Sequence, residues 1–142
     1  MEPSEFLKTA ELLKARSEQA HLRTSVGRAY YAAFLHFREH LKRIGLEKTK
    51  QPGREAHAFV IQCLQFSQVT ECVQTSQYLR DLQQLREDAD YHLEMAFSQN
   101  DTEDAFSKAQ KAINDYEQNM TAEKEKTLLE KALAFARQKC WI

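Results

Sequence analysis

The chain has 142 residues, 42% of them hydrophobic, which is enough for one domain with a buried core and too few for two ordinary domains. Its three Gly and two Pro favour long helices and disfavour strand-rich folds. A net charge of −1 excludes bulk electrostatic coating of nucleic acid, so any contact with RNA requires a local basic patch.

Three helices are predicted in the first half of the chain. The first begins at Ser4, which acts as its N-cap, and ends near Glu18. The second carries apolar residues at three- and four-residue spacing from Val26 until Gly45 stops it. After a basic loop, a shorter amphipathic helix begins at Ala56.

Three more helices are predicted in the second half. A long fourth helix runs through His92 until the SQND segment at 98–101 ends it. Asp101 or Thr102 caps the fifth helix, and Thr121 starts an amphipathic sixth helix.

This order of elements predicts an all-α fold, an antiparallel helical bundle of four to five core helices with an additional C-terminal helix. We expect a single domain over residues 1–142, in which residues 119–142 form the appended helix. Because this amphipathic segment ends in Trp141, it needs a surface to pack against, and a second subunit is one source of that surface.

Cysteine usage and hydropathy predict the environment of the chain. Cys63, Cys72 and Cys140 are odd in number and lack a CxxC spacing, which argues against a disulfide framework and against a zinc site. No apolar run approaches the roughly 18 to 20 residues that span a membrane, and the N-terminus lacks the order of a secretory signal. We therefore expect a cytoplasmic protein without a membrane partner.

The histidines are the main candidates for chemistry, because no glycine-rich phosphate loop, HExxH or GxSxG motif occurs. His36 and His40 lie four residues apart and would share a helix face, but no third metal ligand accompanies them. Solvent-facing or half-buried histidines are the simpler interpretation, and we expect neither a metal nor a cofactor.

His92 stands in a dense polar stretch of the fourth helix, LREDADYHLE. On an ideal helix, Arg86 and His92 project about 120° apart with roughly 9 Å of rise, so their cooperation requires a bend or local unwinding. Ordinary pairing of Arg86 with Asp90, or of Asp88 with His92, explains the same residues without a function.

Two segments resemble proteins of the HEPN family. RTSVGRAYYAAFLHFREHL at 23–41 is similar to the RAYYA-containing helix of that family. LRDLQQLREDADYHLE at 79–94 is similar to its motif of Arg, a gap of four to six residues, and His, because five residues separate Arg86 from His92. Together the two matches cover about a quarter of the chain.

The resemblance implies a metal-independent ribonuclease of the toxin or defence type. Active members are typically homodimers in which two copies of the motif meet in one cleft. His92 would act as general base or acid for attack of the 2′-hydroxyl on the adjacent phosphate, and Arg86 would stabilise the developing charge. A nucleotidyltransferase-type or other antitoxin protein is the partner that such a toxin implies.

Further residues are expected to assist this site. Glu87, Asp90 and Tyr91 flank the motif and support it. Possible contacts with RNA come from cationic and aromatic side chains of the second helix and the loop after it: Arg23, Arg28, Tyr31, Lys42, Arg43, Lys48, Lys50 and Arg54. A solvated surface is the alternative interpretation of the basic residues, and Tyr30 is expected in the core.

Two departures from the family pattern bear on the function. Active members often have Asn, Asp or His directly after the motif Arg, whereas this chain has Glu87, whose carboxylate would repel phosphate. Some family toxins are adenylylated on a tyrosine two residues after the motif His, where this chain has Glu94. The alternative function is therefore a non-catalytic HEPN-like protein that binds a partner protein or a nucleotide.

Overall fold

Six α-helices make up the part of the chain that the computed structural model describes, residues 1–50, 53 and 55–142. They are α1 (Ser4–Lys14), α2 (Gln19–Arg43), α3 (Ala56–Gln65), α4 (Thr70–Tyr91), α5 (Gln99–Asn119) and α6 (Ala122–Gln138). The same residues contain no strand, so the predicted all-α fold of the helical-bundle type is confirmed. In this described part, no helix has the length and apolarity needed to cross a membrane.

The first helix begins and ends differently from the sequence prediction. Ser4 is the first helical residue and not the cap, which is Pro3 and makes no side-chain hydrogen bond. α1 ends at Lys14 rather than near Glu18. Glu18 instead directly precedes α2, and its carbonyl accepts hydrogen bonds of 3.0 Å from amides in the first turn of that helix.

Both α2 and α6 end in a Schellman motif. After α2, Gly45 takes a φ of 105° and the Leu46 amide donates to the Leu41 carbonyl at 2.8 Å, which confirms that Gly45 stops the helix. After α6, Cys140 takes the left-handed position with a φ of 57°, and the Trp141 amide donates to a carbonyl of the last turn at 2.9 Å. The start of α6 also agrees with the prediction, since the Thr121 hydroxyl caps it.

The N-terminus of α5 is capped by Ser98, and the predicted caps, Asp101 and Thr102, are wrong. The Ser98 hydroxyl accepts a hydrogen bond from the Asp101 amide at 3.1 Å, while the Asp101 carboxylate accepts one from the Ser98 amide at 2.7 Å. This reciprocal pair is a capping box, in which two otherwise unpaired amides find acceptors. Thr102 lies inside the helix, where its hydroxyl donates to the Gln99 carbonyl.

One compact unit comprises Met1–His36 and Tyr78–Ile113. It contains α1, the first part of α2, the last part of α4 and most of α5. Its core includes aliphatic side chains together with one tyrosine and three phenylalanines: Ala10, Leu22, Val26, Ala29, Tyr30, Ala33, Phe34, Leu79, Leu82, Phe97, Ala105, Phe106 and Ala109. The expected burial of Tyr30 is therefore confirmed.

The second compact unit comprises Phe37–Gln77 and Asn114–Ile142. α3 and α6 pack together in it, and Trp141 is buried beside them. The Trp141 ring meets those of Phe59 at 5.8 Å and Phe135 at 5.9 Å, and its Nε1 donates to the Glu55 carboxylate at 2.9 Å. Residues of the same unit thus cover Trp141. The single domain over residues 1–142 stays a prediction.

Replacing Ser98 by Ala is expected to lower the free energy of unfolding by about 1 kcal/mol, because the Asp101 amide loses its acceptor at the start of α5. Urea denaturation followed by circular dichroism measures the change. The matched control is Ser107→Ala, the same substitution at an exposed position within α5, which should cost nothing. Equal effects of the two substitutions would contradict the cap.

The three thiols are expected to differ sharply in reactivity. Burial raises the pKa of Cys63 to about 12 and that of Cys72 to about 12, so neither forms the reactive thiolate near neutral pH, whereas Cys140 is exposed. A chromogenic disulfide reagent at pH 7.5 (roughly one unit below a free thiol's pKa) should titrate one thiol in the native chain and three in denaturant. Rapid reaction of a second native thiol would contradict this packing.

Candidate active site

The residue predicted as the catalytic base lies just beyond a helix. α4 ends at Tyr91, so the prediction that it continues towards Phe97 is wrong. The His92 amide still donates to the Asp88 carbonyl at 3.0 Å, after which the chain turns and the Met95 amide donates to the His92 carbonyl at 3.1 Å. His92 therefore lies where the last carbonyls of α4 have no partner within the helix.

Arg23 of α2 binds these carbonyls. Its guanidinium donates to the carbonyl oxygens of Ala89 at 2.9 Å, His92 at 3.1 Å and Leu93 at 3.2 Å, and also to that of Met95. A cation at this position also suits the negative end of the helix dipole. Arg23 thus terminates α4, and contact of Arg23 with RNA stays a prediction.

Gln19 holds the far end of the same segment. Its side-chain Nε2 donates to the Phe97 carbonyl at 2.6 Å, and its Oε1 accepts from the Phe97 amide at 2.9 Å. The Arg23 guanidinium also lies 5.2 Å from the centre of the Phe97 ring. The role of Gln19 is missing from the sequence prediction, although its four-residue spacing from Arg23 places both side chains on one face of α2.

The His92 side chain is 52% exposed beside two carboxylates. Its Nδ1 lies 3.8 Å from Asp88 Oδ1 and 3.7 Å from Glu94 Oε1, which is too far for hydrogen bonds but close enough to attract a protonated imidazole. Among the residues that the structure describes, Nε2 has no hydrogen-bond partner. Neither ring nitrogen is therefore held by a protein hydrogen bond in the described structure, so either can exchange a proton with a ligand.

Arg86 lies against two tyrosine rings of α2. Its guanidinium carbon is 5.7 Å from the ring centres of both Tyr30 and Tyr31, and its side chain is only 14% exposed. Nη1 lies 3.4 Å from Asp90 Oδ2, and Nε is buried without a hydrogen-bond partner in the described part of the chain. The two rings hold the guanidinium in place, and its Nε–H remains a donor without an acceptor in the described structure.

Tyr30 does not exchange protons in this site. Burial raises its pKa well above the ordinary range of a phenol, although the neighbouring Arg86 cation acts in the opposite direction. The phenol therefore stays neutral at physiological pH. Tyr30 contributes packing, and its ring stacks on Phe34 at 5.9 Å.

The two motif residues do not touch each other. Across residues 1–50, 53 and 55–142, no hydrogen bond or ion pair joins Arg86 to His92. Of the predicted supporting residues, Asp90 pairs with Arg86, Glu87 is half-buried and Tyr91 is exposed. The arrangement places a fixed cation, the Arg86 guanidinium, near the end of α4. It places a half-exposed imidazole, that of His92, directly after the helix ends.

The predicted RNA contacts divide between the two units. Arg28 and Tyr31 belong to the unit that holds Arg86 and His92, and the Arg28 guanidinium lies 5.1 Å from the Phe6 ring. The second unit contains the basic residues after the middle of α2: Lys42, Arg43, Lys48 and Lys50. There Lys42 pairs with Glu47 at 3.4 Å, and Lys48 Nζ donates to the Lys50 carbonyl. Arg54 lies outside the described residues.

His40 of the second unit is half-buried against protein groups. Its Nε2 lies 2.8 Å from Glu125 Oε1, a separation typical of an ion pair, although the orientation is not that of a hydrogen bond. The imidazole ring also meets the Tyr116 ring at 5.1 Å. Within the residues described, no cluster of three or more His, Cys, Asp or Glu side chains could hold a metal ion.

Comparison of the chain with family models, with curated proteins and with solved structures finds no match. The resemblance of the two motifs to HEPN proteins therefore stays a prediction.

Replacing Arg23 by Lys is expected to lower the free energy of unfolding by about 1–3 kcal/mol, because an ammonium group lacks the planar fork that reaches several carbonyls. Urea denaturation measures the loss, and hydrogen exchange of amides 92–97 should accelerate. The control is Arg28→Lys, five residues further along α2, where the arginine contacts the Phe6 ring and makes no hydrogen bond or ion pair with the described residues. If the two variants are equally stable, Arg23 does not hold α4 in the way its contacts indicate.

Proposed function

We propose that this chain is a metal-independent endoribonuclease of the HEPN type, acting as a toxin or anti-phage defence effector in the cytoplasm. The observation that supports it best is the half-exposed imidazole of His92, whose Nδ1 faces two carboxylates and whose Nε2 has no hydrogen-bond partner among the described residues.

Each motif residue has one chemical role in this proposal. His92 Nε2 takes the proton of a ribose 2′-hydroxyl while the 2′ oxygen attacks the adjacent phosphorus, and the 5′ oxygen takes a proton from water as its bond to phosphorus breaks. Arg86 stabilises the negative charge that develops on the phosphoryl oxygens. The products are a 2′,3′-cyclic phosphate and a 5′-hydroxyl, and DNA is not cut because it lacks the attacking group.

Binding of phosphate by Arg86 requires the displacement of Asp90. Their 3.4 Å separation exceeds the ~2.7–2.9 Å of a strong charge-assisted hydrogen bond, and the Asp90 side chain is partly exposed. Such a pair contributes little, so a phosphoryl oxygen can replace the carboxylate at small cost. The two tyrosine rings keep the guanidinium in place during the exchange.

A homodimer fits the separation of the two motif residues. Because Arg86 and His92 make no contact within the described residues of one chain, a second copy of the motif would complete a cleft in which the imidazole of one chain and the guanidinium of another flank the same phosphate. An antitoxin, of the nucleotidyltransferase type or another, is the partner that would restrain such an enzyme.

His92→Ala is expected to reduce cleavage of labelled single-stranded RNA and tRNA by about 10²–10⁴-fold in the presence of EDTA, which is the usual contribution of a general acid or base. Arg86→Lys should reduce it as well, because the bidentate geometry is lost while the charge remains. End-group analysis of the wild-type products should find cyclic phosphate.

The matched control is His21→Ala. His21 is likewise an exposed histidine beside a carboxylate, with its Nδ1 2.8 Å from Glu18, and lies in the same unit, but it is not part of the motif. It should leave cleavage unchanged. Equal cleavage by the wild type and His92→Ala, with circular dichroism spectra alike, would refute the assignment.

A non-catalytic HEPN-like protein that binds a partner protein or a nucleotide is the second candidate. The burial of Arg86 and the carboxylate of Glu87 beside it favour this function, because both hinder access of phosphate to the guanidinium. An RNA that binds the wild type and His92→Ala equally and is cut by neither would support the binding protein over the enzyme.

A further inference from the structure

Three exposed apolar side chains surround His92. Tyr91 is 71% exposed, Leu93 77% and Met95 41%, so three of five successive residues present apolar surface to solvent. Single exposed apolar residues are common on proteins, but a concentration of this kind marks an interaction site. We refer to residues 91–95 as the 91–95 segment.

The 91–95 segment has no regular structure beyond Tyr91, yet its backbone is held. Arg23 donates to the carbonyls of His92, Leu93 and Met95, and Gln19 fixes both polar groups of Phe97 just beyond it. A partner that binds here does not have to order the backbone first, which removes one of the main costs of association. The exposed side chains are therefore presented ready for contact.

The charge around the 91–95 segment is negative. Glu94 lies in it and is highly exposed, Asp90 next to it is partly exposed beside Arg86, and Glu87 and Asp88 are half-buried. The nearby cations are less accessible, because Arg86 is mostly buried and the Arg23 guanidinium donates to backbone carbonyls. An approaching molecule thus meets apolar groups flanked by carboxylates.

We propose that the 91–95 segment is a docking surface for a segment of a partner protein that combines aliphatic or aromatic side chains with lysine or arginine. The carboxylates attract such a segment. The proposal concerns binding alone and does not depend on cleavage.

Selection from a displayed library of short random peptides on the purified chain tests this surface. The library is first depleted on the double variant L93S/M95S, so that the recovered peptides depend on the 91–95 segment. We expect peptides rich in Leu, Ile, Phe or Trp together with Lys and Arg. Synthetic copies are then titrated by fluorescence anisotropy at low and at physiological salt.

Leu93→Ser should weaken binding of a selected peptide about tenfold, as expected for the loss of one buried leucine. Glu94→Lys should weaken it about threefold and reduce its salt dependence. Leu12→Ser and Glu11→Lys are the controls, because they make the same changes at exposed positions of α1 in the same unit. Both should bind like the wild type.

Several results would overturn the proposal. The recovery of no peptide, of acidic peptides, or of peptides that bind Leu93→Ser as tightly as the wild type would each exclude this docking surface. If Leu93→Ser converts a dimer to a monomer in light scattering, a second copy of the chain covers the segment instead. If single-stranded RNA binds and loses affinity in Leu93→Ser, the surface is one for nucleic acid. None of these readouts requires ribonuclease activity.

Discussion

The contact between the Arg23 guanidinium and the carbonyls at the end of α4 is the interaction on which the rest of the candidate site depends. A helix that stops without glycine leaves its last carbonyls without partners, and here a side chain from α2 supplies the missing donors. The position of His92 follows from that contact. The chain turns directly after the last residue of α4, where the Arg23 guanidinium, instead of backbone amides, donates to the carbonyls. One arginine thus determines where a second residue becomes accessible.

The same face of α2 also positions Arg86. Arg23, Gly27 and Tyr30 follow one another at spacings of four and three residues, so they lie along one side of the helix. At Gly27 a β-carbon would lie 3.7 Å from Arg86 Cγ, which is ordinary contact, so the two helices approach closely without requiring glycine. The motif residue of α4 and the tyrosines of α2 therefore form one local structure, in which the tyrosine pair keeps the guanidinium from solvent.

Local signals predict the fold well and the site only in part. Apolar spacing locates the helices, the glycine at 45 ends α2 and the threonine at 121 starts α6, because each of these features acts within a few residues. Nothing local ends α4, since no Gly or Pro occurs between Arg86 and Phe97. Its end depends on Arg23, which is distant along the chain, so the sequence predicts Arg86 and His92 as candidate residues of one helix but not that the helix ends between them. The roles of Gln19 and Ser98 also depend on contacts that become visible only once the chain is folded.

Trp141 is the single tryptophan of the chain and is enclosed by Phe59, Phe135 and Glu55. Its emission therefore reports on the packing of α3 and α6, whereas the unit that carries Arg86 and His92 contains no tryptophan. A melting curve recorded through tryptophan reports directly on the surroundings of Trp141. A loss of order around His92 would pass unnoticed in it, and a reporter introduced near the end of α4 is needed to follow that event.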